Sequence, residues 1–370
     1  MLEKTILFAL LIVAALSISS EAATTAIDLG LYACTPQSAA EGSICKTQPD
    51  YSGAVCDASA GRCYVFGGGH SATYRDDVDV FDFATMAWST PSGPSTPCAD
   101  MVIGNLDRVQ GRWLTTNHPV AQHTYDLRAW LPDGRIISMS RVQGRGAGCN
   151  NLPPISTTYP SVISASTINY YAPATGAWAF TNVPALDYNS AIELDPLSGK
   201  VLIASNKGLW LYDIATDTKT QALSFSSPAM GWSASLVYAP INDKFYWMGY
   251  NGNTGYSRAI FEITLNRATP AASTITNTGA VLPAPSRSCC SAGWAYDSAH
   301  NVIGGGVDNS TLYTFDPVTH VVAAQQLIAN DGLIIDPMHG YVIGYGAGGY
   351  MFRSRPVSGD AFRTWLVPQP

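Results

Sequence analysis

Residues 63–88, CYVFGGGHSATYRDDVDVFDFATMAW, constrain the fold of this chain more than any other stretch. A β-branched and aromatic run, Tyr64-Val65-Phe66, stops at three glycines. A polar loop carrying His70 follows, then the alternating segment Val78–Phe83, a turn, and Trp88. In order these read as an inner strand, a glycine break, a loop, the next strand, an Asp-containing turn and an outer-strand tryptophan. That order builds one blade of a β-propeller. The glycines are expected to end the strand where backbones crowd near the propeller axis. His70 then opens the loop that should face the central pocket.

The same grammar recurs in degenerate form at 52–90, 122–181, 189–221, 232–270, 291–325 and 330–367. Its turns are Phe81-Asp82-Phe83-Ala84-Thr85, Tyr171-Ala172-Pro173-Ala174-Thr175-Gly176, Tyr212-Asp213-Ile214-Ala215-Thr216 and Phe315-Asp316-Pro317-Val318-Thr319, each between β-rich runs. Gly304–Gly306 repeat the glycines of the first blade, with Gly344 and Gly346 a weaker copy. The expected fold is all-β: a single-domain propeller of six to seven kelch-like blades. Seven is favoured, because a blade shared between the chain ends would close the ring. Segments 91–121 and 142–162, rich in Pro, Gly, Ser and Thr, read as insertions or as a concealed blade. A β-sandwich with long loops would not repeat this pattern at blade spacing.

The start of the chain reads as an export signal: Lys4, an apolar core over Thr5–Ile18, and small residues at Ser20-Glu21-Ala22. The apolar run is short for a membrane span. Residues 1–22 are therefore expected to be a signal peptide and 23–370 the propeller, secreted or periplasmic. The net charge of −7 argues against a nucleic-acid or membrane partner, and an acidic polysaccharide would have to be held by local cations. A monomer is expected. Eight cysteines beside an export signal favour disulfides, with Cys34–Cys45, Cys56–Cys63 and Cys98–Cys149 as plausible pairs. No CxxC is present and the six histidines show no ligand spacing with cysteines, so no metal-ligand residues are assigned and a structural metal is left open. Asp76, Asp77 and Asp79 suggest calcium only weakly, because alternation puts Asp77 and Asp79 on one strand face.

Two groups of residues could carry chemistry. His70 shares its loop with Tyr74 and Arg75. The second group is Asn117–Asp126, holding His118, His123 and Tyr125, followed across the turn Pro132-Asp133-Gly134 by Ser140–Arg145 with Arg141 and Arg145. Tyr125 and Arg141 stand sixteen residues apart around that turn, which should bring them to the same end of a hairpin. An imidazole titrates near neutrality, and a guanidinium matches the geometry of a carboxylate. His300, His320 and His339 sit in turn contexts at the solvent rim. Trp88, Trp178 and Trp210 fall at core positions; Trp113, Trp130, Trp232 and Trp247 are candidate sugar platforms.

The Gly-Gly-Gly-His element, the Val-Phe-Asp-Phe-x-Thr-x-x-Trp strand pair, and His-Thr-Tyr-Asp with an arginine sixteen residues after the tyrosine together resemble secreted kelch-type propellers that include ulvan lyases. The resemblance covers about 52–145. It implies a seven-bladed polysaccharide lyase with His70 and Tyr125 catalytic and Arg141 binding the carboxylate. His123 is the further acid-base candidate. His118, Tyr74, Arg75, Arg145 and Tyr51 are candidates for contacting substrate. One position departs from the pattern: where those lyases carry a second histidine, this chain has Asp50, Tyr51 and Ser52. Either Tyr51, His118 or His123 substitutes, or the chain handles another substrate, or it has lost the activity.

These residue types suit β-elimination from a uronate. The C5 proton lies beside an anionic carboxylate, so a cation must neutralise that group before a base can act. A tyrosine or histidine then takes the proton, and the same or a partner group protonates the leaving oxygen. No cofactor is required. A hydrolase would want two carboxylates flanking the bond, and no acidic pair stands out in such a context. The alternative is a non-catalytic propeller that binds carbohydrate or protein. A copper-radical oxidase, which resembles this chain in its blades, needs histidine ligands that the C-terminal half is poor in.

Overall fold

The computed structural model describes residues 27–31, 52–67, 76–141, 166–283 and 294–368, apart from 58, 61, 83–84, 86, 90–95, 98, 121, 123, 188, 227–229, 231–233, 249–256, 298–300, 307–310, 327–334, 346–348 and 357–362. Strand β1 (Ile27–Leu31) comes first in the chain. The first sheet holds β2–β5 (Ser52–Asp57, Arg62–Gly67, Asp79–Asp82, Ala87–Ser89). A two-stranded ribbon follows, β6–β7 (Leu106–Asp107, Arg112–Trp113). The second sheet is β8–β11 (Arg128–Trp130, Ile136–Ser138, Thr167–Ala172, Ala177–Pro184), and the third is β12–β15 (Ser190–Leu194, Val201–Ser205, Gly208–Asp213, Thr218–Ser224). The fourth is β16–β19 (Ser235–Ala239, Lys244–Met248, Ala259–Thr264, Thr274–Val281). The fifth is β20–β23 (Trp294–Asp297, Val302–Gly306, Thr311–Phe315, Val322–Gln326), and the last is β24–β26 (Ile335–Tyr345, Gly349–Pro356, Arg363–Pro368).

Every one of these sheets is antiparallel, with neighbours in chain order, and the innermost strands touch in succession: β2, β8, β12, β16, β20, β24, and back to β2. This closed ring of radiating sheets is a β-propeller. Among the described residues it has six four-stranded sheets, one fewer than the favoured seven. Strand β1 pairs with β26 and completes the sixth sheet, so the sheet shared between the chain ends and the 330–367 repeat are one and the same. The described part of 91–121 adds no blade, because it holds a single 3-10 turn and the β6–β7 ribbon.

Burial follows the radial order. In β13 the first four residues are buried, since neighbouring blades cover both faces, whereas most of outer strand β15 is exposed. The core is a series of layers between blades. One packs Tyr64, Phe66 and Val80 on Tyr171 and Trp178; another packs Leu202 and Leu211 on Leu236 and Trp247. Trp113 and Trp247 are fully buried, which removes them as sugar platforms.

The stretch 62–67 is the second strand of its blade and not the innermost; β2 lies inside it, stapled by the Cys56–Cys63 disulfide. The glycines of the fifth blade likewise have a different cause from axial crowding. Gly305 pairs with Trp294, and a Cβ there would stand 2.2 Å from the indole ring. Hairpin turns share one device. Tyr212, Tyr238, Tyr296 and Phe315 are each followed five residues later by a left-handed residue: Asp217, Asp243, Asn301 and His320. Each tyrosine hydroxyl bonds its partner at 2.5, 3.0 and 2.7 Å, while the Phe315 ring stacks on His320. Asn and Asp tolerate this backbone better than most residues. Asp213 and Asp316 brace their own turns by accepting backbone N–H bonds two and three residues on.

Candidate functional site

The turns joining the first to the second and the third to the fourth strand of each blade gather at one end of the ring, the turn end; the turns joining the second to the third strand, and the connections between blades, lie at the other. The connection from β7 to β8 binds that second end together. His118 rests on Asp76, just before β4. Thr124 Oγ1 donates to the carbonyl of Phe66, in β3, at 2.8 Å. Further along, the Ile192 N–H donates to the Asp126 carbonyl at 3.1 Å and the Leu236 N–H to Asp126 Oδ2 at 2.8 Å. An innermost strand has one unpaired backbone edge. Asp126 therefore satisfies such groups on both β12 and β16, and ties three blades at one point.

Tyr125 precedes Asp126 and is buried, with φ of 35°. A bulky residue is rarely held there, and such strain gathers at functional positions. Its carbonyl accepts from Arg128 Nη2, whose guanidinium also lies over the Phe66 ring. The Met139 N–H donates to the Leu127 carbonyl at 2.9 Å, so Tyr125 and Arg141 extend two residues beyond a bonded pair. Arg141 is 36% exposed and its Nη1 lies 3.6 Å from Asp187 Oδ2. His118 is buried against Asp76, Nδ1 to Oδ1 at 3.3 Å. Burial pushes that imidazole down, but the hydrogen bond and charge of Asp76, with the charge of Asp77 behind it, outweigh burial and hold it above its ordinary value. His70, His123, Tyr51, Tyr74, Arg75 and Arg145 lie outside the described residues.

Two acids that sequence reasoning passed over stand at the same end. Asp126 and Glu193 keep slight contact with water, yet protein surrounds both closely. Burial drives the Asp126 carboxyl well above the carboxylate range, against the opposing pull of the Leu236 N–H and of Arg128. Burial raises Glu193 in the same way, and the charge of Asp126 adds to it. Both shifts favour the protonated carboxyl over the carboxylate. The one sequence signal was Glu193 itself, an acid inside the otherwise uncharged strand Ser190–Leu194.

Polar groups are unusually loose around this point. Gln122 Nε2, Thr167 Oγ1, Asn169 Oδ1 and Ser235 Oγ are buried and make no hydrogen bond among the described residues. Gln122 does accept from Ser138 Oγ at 3.2 Å. No group of three metal-ligating side chains occurs among the described residues. A cleft of about 490 Å³ lies at the turn end, between the β8–β9, β12–β13 and β14–β15 turns. Its cations are already engaged, Arg135 by Asp133 at 2.7 Å and Lys200 by Asp213 at 3.1 Å.

No protein-family model matches the chain, and no curated protein is similar to it. Solved structures with a similar path include a Bacteroides thetaiotaomicron protein of unknown function, 14% identical with a TM-score of 0.48, over 86% of this chain and 70% of that one. A fungal alcohol oxidase of the AA5 family, in complex with copper, has the same identity and TM-score over 86% of this chain and 62% of that one. A protein proposed to be a gluconolactonase is 10% identical with a TM-score of 0.48, over 94% and 95% of the two chains. The fold assignment rests on this chain's own sheets.

Proposed function

We propose that this propeller is a secreted polysaccharide lyase that cleaves a uronic-acid-containing glycan by β-elimination at the end of the ring holding Tyr125. Tyr125 and a histidine share the acid-base work, and Arg141 neutralises the uronate carboxylate. One observation carries this reading: the register of the β8–β9 hairpin brings Tyr125 and Arg141 to one end, beside two acids that burial shifts towards the protonated form. An ionised acidic pair would repel a uronate, whereas a protonated carboxyl donates a hydrogen bond to it. Burial shifts both Asp126 and Glu193 towards the second form.

The test is incubation with ulvan, alginate, pectin and glucuronan, following ultraviolet absorbance of the unsaturated uronate. Tyr125→Phe should lower turnover by about a hundredfold or more with the fold intact. Unchanged turnover would remove Tyr125 from the chemistry. The second reading, a non-catalytic propeller that binds carbohydrate or protein, draws on Tyr125 being buried and Arg141 lying beside Asp187. Glycan binding without new absorbance would select it.

A further inference from the structure

The approach to β8 holds a circuit of hydrogen bonds whose direction is fixed by chemistry. Thr96 donates twice to the Asp76 carboxylate, N–H to Oδ1 at 2.8 Å and Oγ1–H to Oδ2 at 2.5 Å. The Thr96 oxygen, its own proton committed, accepts from Thr116 Oγ1 at 2.5 Å. Thr116 Oγ1 in turn accepts the His118 backbone N–H at 3.4 Å. Both oxygens of Asp76 already act as acceptors towards Thr96. His118 Nδ1, facing Asp76 Oδ1, is therefore the nitrogen that carries hydrogen.

Neutral His118 is thus the Nδ1–H tautomer, with its lone pair on Nε2. The Asp76 side chain is completely buried, while that of His118 is 11% exposed. The one hydrogen bond of the ring among the described residues is the one from Nδ1, so the exposed part of the side chain leaves Nε2 as the nitrogen open to a substrate. A carboxylate fixing one ring nitrogen while the other is left open is how a base is oriented for proton transfer.

We propose that His118 is the proton-accepting residue at this end of the ring and Asp76 its positioning residue, acting on a C–H acid of a sugar. This deepens the lyase reading and rests on it for the identity of that acid, the C5 proton of a uronate. Nε2 takes the proton, the C5–H electron pair becomes the C4=C5 bond, and the C4–O bond breaks. The leaving oxygen takes the proton of the Tyr125 phenol. The imidazolium then returns a proton to the phenolate through water, and the cycle closes with no other reactant. Among the described residues the charged groups bearing on His118 are Asp76 and Asp77.

The first arm of the test is nitrogen NMR of the full chain labelled at histidine. His118 should titrate above 6.5, the ordinary histidine value, with its neutral form as the Nδ1–H tautomer. Diethyl pyrocarbonate should acylate its Nε2, and Asp76→Asn should lower the titration midpoint. An Nε2–H tautomer or an unreactive His118 in the wild type would overturn the proposal. The second arm uses any glycan the wild type degrades. His118→Gln should lower kcat by about a hundredfold or more, with KM within about twofold and the acid limb of the kcat/KM profile gone. Asp76→Asn should move that limb to lower pH; full activity of His118→Gln would overturn the proposal. A protein that cleaves no glycan sinks the lyase reading alone, and the first arm then decides the dyad.

Discussion

At the turn end of the ring, Arg267 lies between Asp195 and Asp243 and makes five hydrogen bonds of 2.6–3.1 Å. At the other end, Asp126 and Glu193 are enclosed without such a cation; the nearby Arg128 does not offset the burial of Asp126. The turn end also satisfies Tyr170 and Tyr212 on Asp217, and Tyr246 on the Pro317 carbonyl. The opposite end holds a strained Tyr125, the raised acids and several buried polar atoms without partners among the described residues. The turn end pairs its buried charge with a cation, although both ends tie blades together. The opposite end keeps local arrangements that stability alone would not choose, which is a common mark of a working surface.

That contrast is sharpest at Arg267. Arg267→Met should strand the fully buried Asp195 carboxylate and cost about 3–5 kcal/mol in chemical denaturation, with a normal fold at low denaturant. A loss under about 1 kcal/mol would mean that the turn end is no better satisfied than its counterpart. Replacing Cys56 and Cys63 together by serine should cost about 2 kcal/mol, because the closed loop is short.

Glu193→Gln should act in the opposite direction and modestly. The folded carboxyl titrates above the unfolded one, so the unfolded state ionises first as pH rises. The contribution of Glu193 to stability should therefore be full in acid and fall from the ordinary glutamate range, about pH 4, upward until the folded group ionises. The variant should lose that decline and gain stability at neutral pH. Denaturation midpoints across this range check the sign, and a destabilised variant would show that Glu193 belongs to the framework.

Much of the ring was legible. Each repeat marked in the sequence coincides with one sheet, because turn residues and β-branched runs act locally. The Asp-turns at 213 and 316 worked through bonds that a sequence pattern encodes directly. What misled was radial position: Tyr64–Phe66 looked innermost because the weaker strand Ser52–Asp57 precedes it with no comparable signal. The candidate site was legible only in part. Tyr125 and Arg141 follow from hairpin register, a local quantity. The enclosure of Asp126 with Glu193 depends on contacts 66 and 110 residues away along the chain, Ile192 and Leu236, which no periodicity announces.

The pairing of β1 with β26 has a consequence for how the molecule comes into being. Strands Ile27–Leu31 and Arg363–Pro368 must meet before the last sheet is whole, so hydrogen bonds between segments far apart in sequence are a condition of completion. During synthesis the earlier blades can assemble in order, but the outer edge of β26 stays unmatched until the amino-terminal segment finds it. A partly made chain is thus an open arc, and circularity arrives in a single late event.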